Sequence, residues 1–295
     1  MKIYLVFLAL SFSSLMNAQE LYVFSEPASN MPAHSVSGKL YGSFMGPQSW
    51  HTQDMQRYTA EAMFGINKKL MVHTGTTFSN MHTDDLRWES VYFYTKYRFL
   101  SFDEVHKHFR MAVFGEGSYS KAPFHNDEVS LQGDKSGVQL GLIGTQLLNK
   151  LAISGTVSHT QVLHESRNSN VIYVPERIYQ TLNYSLSAGY LLLPKEYTNY
   201  KQLNVNLYTE LIGQKSLDRD VFYLDLAPAV QFIFNSNFKI NIGYRFQLDG
   251  DMYRMADKSL LVSIERTFLD ALKKKSKLSD IEKKLNEFAV NQKSG

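Results

Sequence analysis

Three residues in one short stretch, Ser158, His159 and His164, carry a hydroxyl and two imidazoles, the raw material of a nucleophile and its general base. A lipid-modifying enzyme at a membrane surface would need such a set. The spacing supplies no acid or amide to orient an imidazole, and chance proximity within one strand is the favoured reading. No catalytic residue is therefore expected.

Soft ligands are more plentiful. Met31 and His34 lie close together near the N-terminus, and His51, Met55, Met81, His82, His125, Met252 and Met255 fall in or beside expected loops. Thioethers and imidazoles suit copper. No pair has a diagnostic spacing, so no metal ligand and no cofactor are expected, and surface copper handling stands as a minor alternative. Cysteine is absent, which excludes thiol catalysis, disulfide scaffolds and Cys-ligated metal centres. The net charge of +3 comes without a basic, aromatic-interleaved patch, and no nucleic-acid partner is expected.

The third set is ionic. Lys39, Arg57, Glu61, Arg110, Glu116, Glu210, Asp225, Lys239, Arg245 and Glu265 each sit on the polar face of an alternating segment. If those segments close into a barrel, these side chains line its lumen, where balanced charges either select solutes along a wet path or pair across it and block it.

The elements that must position them read as strands. From Val221 to Leu248 the chain forms two long strands joined at Asn235, Ser236 and Asn237. Phe222, Leu224, Leu226, Val230, Phe232 and Phe234 share one face of the first, against Tyr223, Asp225, Gln231 and Ile233. Ile240, Ile242, Tyr244, Phe246 and Leu248 oppose Lys239, Asn241 and Arg245 on the second. Soluble strands run to about five or six residues, whereas a tilted membrane strand needs about nine to eleven. A sandwich would bury this apolar face between layers, and a barrel would turn it outward to lipid. Pro228, unable to donate to a ladder, predicts a bulge at its own position.

Similar segments recur at Val36–Gly46, Gln56–Ile66, Leu70–Ser79, Leu86–Phe99, Phe109–Tyr119, Gly133–Leu147, Leu151–Leu163, Ile178–Leu192, Leu203–Gly213 and Ser259–Phe268. On Leu86–Phe99 both faces carry aromatics; Val91, Phe93, Tyr97 and Phe99 are assigned outward and Trp88, Tyr92 and Tyr94 inward. Short connections at 67–69, 148–150 and 235–237 alternate with long ones at 79–85, 120–132, 164–176 and 250–258, the latter expected outside the cell. An even strand count of about twelve with sorted loops is what a barrel with both ends in the periplasm requires.

In this pattern the chain resembles the Gram-negative outer-membrane β-barrel proteins, and SLLVSIERTF, with Val262, Ile264 and the terminal aromatic Phe268, is similar to their closing strand. The resemblance implies an all-β, transmembrane, antiparallel up-and-down barrel over residues 36–268, outer-membrane lipid around it, and the barrel assembly machinery as a partner. It departs from the family in that Phe268 is not the last residue.

The ends carry separate signals. Residues 1–18, with Lys2, an apolar run and Ala18, have the layout of a secretory signal peptide. Residues 19–35, with Pro27 and Pro32, predict an extended segment at the periplasmic rim or folded into the lumen. Residues 269–295 place Ser279 and Glu282 in capping-box spacing and Ile281, Leu285 and Phe288 on one face, predicting a short amphipathic C-terminal helix in the periplasm. It would cover the lower mouth, dock an unknown partner, or remain solvated. The chain as a whole reads first as a channel or transporter for small solutes, with a closed structural or binding barrel as the alternative.

Overall fold

The computed structural model describes residues 22–47, 53–104, 107–123, 126–163, 177–194 and 201–273. The expected signal peptide and the expected helical residues Ser279, Glu282, Leu285 and Phe288, as well as His51, His125 and His164, lie outside the described residues.

Strands β1 (Ser35–Met45), β2 (Met55–Gly65), β3 (Leu70–Ser79), β4 (Arg87–Glu104), β5 (Lys107–Ser120) and β6 (Gly137–Leu148) make one half of a barrel. Strands β7 (Leu151–Val162), β8 (Gln180–Leu193), β9 (Asn204–Ser216), β10 (Phe222–Phe234), β11 (Phe238–Gly250) and β12 (Lys258–Phe268) make the other. Every strand pairs antiparallel with its chain neighbour, and β1 closes on β12 from Val36↔Phe268 to Phe44↔Leu260. Closure leaves no edge strand, and only such a sheet satisfies its backbone in hydrocarbon.

Alternation decides which way each side chain points. Leu140 on β6 is 68% exposed, Leu186 on β8 is 55% exposed and Ile242 on β11 is 41% exposed, all on the outer wall. On the inner wall Glu210 and Asp225 are fully buried. This is the reverse of a sandwich, where the apolar set would be buried and the charged set wet. The ambiguous strand β4 resolves in the same way from Val91 onward: Val91, Phe93, Tyr97 and Phe99 are exposed, and Tyr92 and Tyr94 are buried inside. Trp88, assigned inward, stands instead on the outer wall, opposite exposed Phe78 and beside exposed Tyr119, because the register shift at Thr77/Phe78 reverses its face.

Two further details differ from expectation. The register shift in the β10–β11 pair falls between Leu224 and Asp225, not at Pro228. Around Pro228 the pairing with β11 lapses between Leu226↔Phe246 and Ala229↔Gly243, while Pro228 keeps its place opposite Thr209 of β9. A missing N–H turned toward β11 interrupts that ladder without displacing the strand. β4 runs to Glu104, five positions past the expected Phe99, because a register shift at Arg98/Leu100 lets it continue pairing with β5 as far as Lys107. Residues 269–273 form a turn, with the Leu272 N–H donating to the His34 carbonyl at 2.9 Å, and the expected helix with Ser279, Glu282 and Phe288 lies outside the described residues.

Connections sort to opposite ends. The start of β1, the end of β12, 66–69, 149–150 and 235–237 share one end, here the turn end. At the last of these Asn235 and Ser236 take φ of 50° and 56°, the left-handed pair that matches the twist of a hairpin. Residues 80–86, 121–136 and 251–257 share the other, the loop end.

Candidate functional site

The lumen is filled from both ends by chain that is not barrel. At the turn end, residues 22–34 run inside the wall. The Val23 and Phe24 N–H groups donate to Glu210 Oε1 at 2.9 and 3.0 Å, and the Ala28 N–H donates to Thr145 Oγ1 at 2.8 Å. Lys96 Nζ donates to Glu26 Oε2 at 3.1 Å and to the Pro27 and Ser29 carbonyls at 2.6 and 2.9 Å. Tyr22 packs edge-on to Tyr208, ring centroids 5.5 Å apart. These partners lie on β4, β6 and β9, so the segment touches separate arcs of the wall. Burial would raise the Glu26 carboxyl, but Lys96, His73 and Lys39 outweigh it and hold it down at about 2. Its side chain is 39% exposed to the interior cavity, so water screens much of this shift.

At the loop end, residues 121–136 fold back into the lumen. Val129 exchanges two hydrogen bonds with the Gln214 side chain, each 2.8 Å. Asp134 pairs with Arg57, whose Nε also reaches Glu89 at 2.9 Å. Glu128 accepts from Arg245 and Arg254, both at 3.1 Å, and Arg254 returns to Asp225 at 2.8 Å. Burial would raise the Glu128 carboxyl, yet Arg254 and Arg245 hold it down at about 2. Lys135, almost fully buried, has its ammonium pushed down to about 8 by burial, against the pull of Asp134 and Asp127.

Between the two inserts lies a cavity of about 420 Å³, bordered by Tyr22 and Glu26 from one insert and Glu128 to Asp134 from the other. A second space of about 270 Å³ lies on the turn side, beside Asn30, His73 and Arg110.

The ionic set identified from sequence divides among these features. Lys39 stands opposite Glu61 on β2 and Glu265 on β12 and borders both spaces. Glu61 accepts from the Tyr92 hydroxyl at 2.5 Å; the Tyr92 ring lies over Gly75, where a Cβ would come within 2.4 Å of it, so only glycine admits the ring. Glu116 borders the larger cavity, and its Oε1 has no hydrogen-bond partner. Lys239 pairs with Glu265 at 2.7 Å. Arg110 meets Asp103 at 3.0 Å and donates to Ser29 Oγ at 2.8 Å near the turn end. Arg57, Asp225 and Arg245 hold the loop insert, and Glu210 holds the terminal one.

Sequence reasoning left out Glu26, Glu89, Lys96, Glu128, Asp134 and Arg254. Lys96 was within reach, since it continues the inward series of Tyr92 and Tyr94, whereas alternation sets Glu89 with Val91 and Phe93 and only the register shift at Thr77/Phe78 turns it inward. Glu128, Asp134 and Arg254 stand in loops, whose inward course no local pattern reveals.

The candidate nucleophile and base separate. Ser158 is buried inside, accepting from Gln139 Nε2 at 2.6 Å, whereas His159 is exposed on the outer wall. Adjacent strand residues face opposite ways, so the two cannot share a proton. Met31 packs beside Ala28 and Met71, while His34 is exposed and takes φ of 61° in a tight turn. Met252 packs with Val129 and Tyr223.

No protein-family model matches the chain, and no curated protein matches it either. Among solved structures it is similar to an outer-membrane channel from Pseudomonas putida F1, with TM-score 0.50 and 11% identity over 84% of this chain and all of that one. It is also similar to the β-domain of the Bordetella autotransporter BrkA, with TM-score 0.48 and 11% identity over 79% of this chain and 99% of that one. Closed topology, outward apolar wall and the first of these likenesses agree: the chain has the fold of an outer-membrane β-barrel.

Proposed function

We propose that this protein is an outer-membrane channel for small polar solutes, closed at rest by residues 22–34 from the turn end and 121–136 from the loop end. The observation that carries the reading is the cavity of about 420 Å³ held between two inserts, neither of which is part of the wall. A barrel meant only as a scaffold has no use for an internal space bordered by Lys39, Glu61 and Glu116. Both inserts are fastened by polar contacts, which exchange with water more readily than apolar packing does. Outer-membrane lipid meets the outward wall, the assembly machinery inserts the barrel, and small solutes are its cargo.

The closed structural or binding barrel is the second reading, favoured by the same occupancy. Planar-bilayer recordings separate the two. The intact mature protein should open rarely, and a variant lacking residues 22–34 should give frequent, larger conductance steps. If both are silent while heat-modifiable gel migration shows intact barrels, the channel reading fails and the scaffold stands.

A further inference from the structure

Four methionines that the sequence scatters meet at the loop end of the lumen. Met55, Met81 and Met255 form one buried cluster, each 3% exposed or less, and Met45 packs against it with Ala256. They come from separate pieces of chain: Met45 and Met55 face each other across β1 and β2, Met81 sits in the 80–86 connection, and Met255 in the 251–257 connection. Other buried clusters in the barrel mix aliphatic and aromatic side chains, as in Val129, Val162, Ile178, Tyr223 and Met252. Here every fully buried member is a thioether.

The cluster is held rather than loose. The Met81 N–H donates to Ser79 Oγ at 3.1 Å, and that hydroxyl donates in turn to Glu89, the partner of Arg57. Met255 follows Arg254, which is fixed to Asp225 and Glu128. It is also reachable, since Met45, Met81 and Met255 all border the larger cavity. Among the described residues no grouping of three His, Asp or Glu could hold a hard or borderline metal. Neutral, polarizable sulfurs select soft monovalent ions over zinc, calcium or magnesium.

We infer that Met45, Met55, Met81 and Met255 form a thioether site for a soft monovalent metal ion, Cu(I) or its redox-stable stand-in Ag(I), at the outer mouth of the lumen. The site does not depend on the barrel conducting, and it holds whether the chain is a channel or a closed scaffold.

The test uses the full mature chain in detergent micelles. Cu(I) is supplied under ascorbate against a chromophoric chelator, and Ag(I) is supplied in parallel. The wild type should take up one ion, with sulfur-only coordination by X-ray absorption. Met81→Leu and Met255→Leu should each weaken uptake by about tenfold or more, and the fourfold leucine variant should abolish it. Leucine preserves volume and apolarity, so gel migration and melting should stay near wild type; a purely structural cluster would show that same tolerance with no change in binding. Two results overturn the site: a wild type that binds no more ion than the fourfold variant, or bound metal whose spectrum shows nitrogen and oxygen neighbours unaltered by the single substitutions. If the fourfold variant does not fold, the two single variants and the wild-type spectrum decide alone.

Discussion

At the turn end, the chain from 22 to 34 is fastened by its backbone: N–H groups into Glu210 and Thr145, carbonyls onto one ammonium, Lys96. At the loop end, beside the Val129 backbone on Gln214, the insert is fastened by charged side chains, with Glu128 and Asp134 set into Arg245, Arg254 and Arg57. The first arrangement depends on a few fully buried wall residues and is indifferent to most of the insert's own sequence. The second is a network of opposite charges that salt screens and strong acid weakens. One lumen thus holds two closures that different perturbations should release separately.

The largest separation should come from Lys96→Met. The ammonium is fully buried and satisfies three acceptors, so its removal leaves the Glu26 carboxylate and two carbonyls without their donor. Depriving two buried carbonyls of their donor costs about 1–3 kcal/mol each, while the partly exposed Glu26 carboxylate adds little. Protease added to the purified barrel should then cut within residues 22–34, while the 121–136 insert stays protected; cleavage of both, or of neither, would dissolve the distinction between the closures. Glu128→Gln should do the opposite at a smaller cost, about 1–3 kcal/mol, because a neutral amide still accepts one hydrogen bond but leaves Arg245 and Arg254 sharing only Asp225. Cleavage after Lys121 or Lys135 should rise with residues 22–34 unaffected.

How legible each part was follows from the range of the interaction. Strand faces repeat every second residue, so Phe93 against Tyr92, or Leu186 against Ser187, needs only local pattern. The same alternation already sets Ser158 and His159 on opposite walls. Pro228 shows its limit: a missing donor is evident in sequence, but whether the ladder bulges or merely lapses depends on the partner strand. For residues 22–34 an inward course was one of two readings left open, and the loop insert was not legible at all, because Gln214 holds Val129 at a sequence distance of 85 and Glu210 holds Val23 at 187. Which loop turns inward is set by buried partners on the wall. The methionine cluster is hidden for the same reason, with spacing that carries no motif until β1, β2 and two loops meet.

Acidity should divide the closures more gently. The folded Glu128 carboxyl sits at about 2 against an ordinary value of 4.5, so the undocked loop binds the extra proton between those limits. The Glu128 contribution to docking of 121–136 is therefore full above pH 4.5 and drains away as pH falls toward 2. Lys135 adds a second window of the same sign: its ammonium is depressed to about 8 from 10.5, so docking strengthens further as pH rises across that interval. The loop should be most protected from protease near pH 10 and least near pH 3. A flat profile across both windows would mean that the charges do not hold the loop.

Salt should give the smallest effect and the sharpest contrast. The Debye length shrinks from about 10 Å at 0.1 M to about 3 Å at 1 M, and pairs open to the cavity feel this more than pairs sealed from it. Arg245 keeps 21% of its side chain exposed and Glu128 16%, whereas Lys96 and Glu210 are fully buried. Raising salt to 1 M should speed cleavage of the 121–136 insert by about two- to fivefold, a change of less than about 1 kcal/mol, as expected for partly exposed pairs. Residues 22–34 should be cut at an unchanged rate. Equal acceleration of both would show that the terminal insert is also held by screened charge, chiefly the Glu26 carboxylate on Lys96, and not by the backbone hydrogen bonds to Glu210.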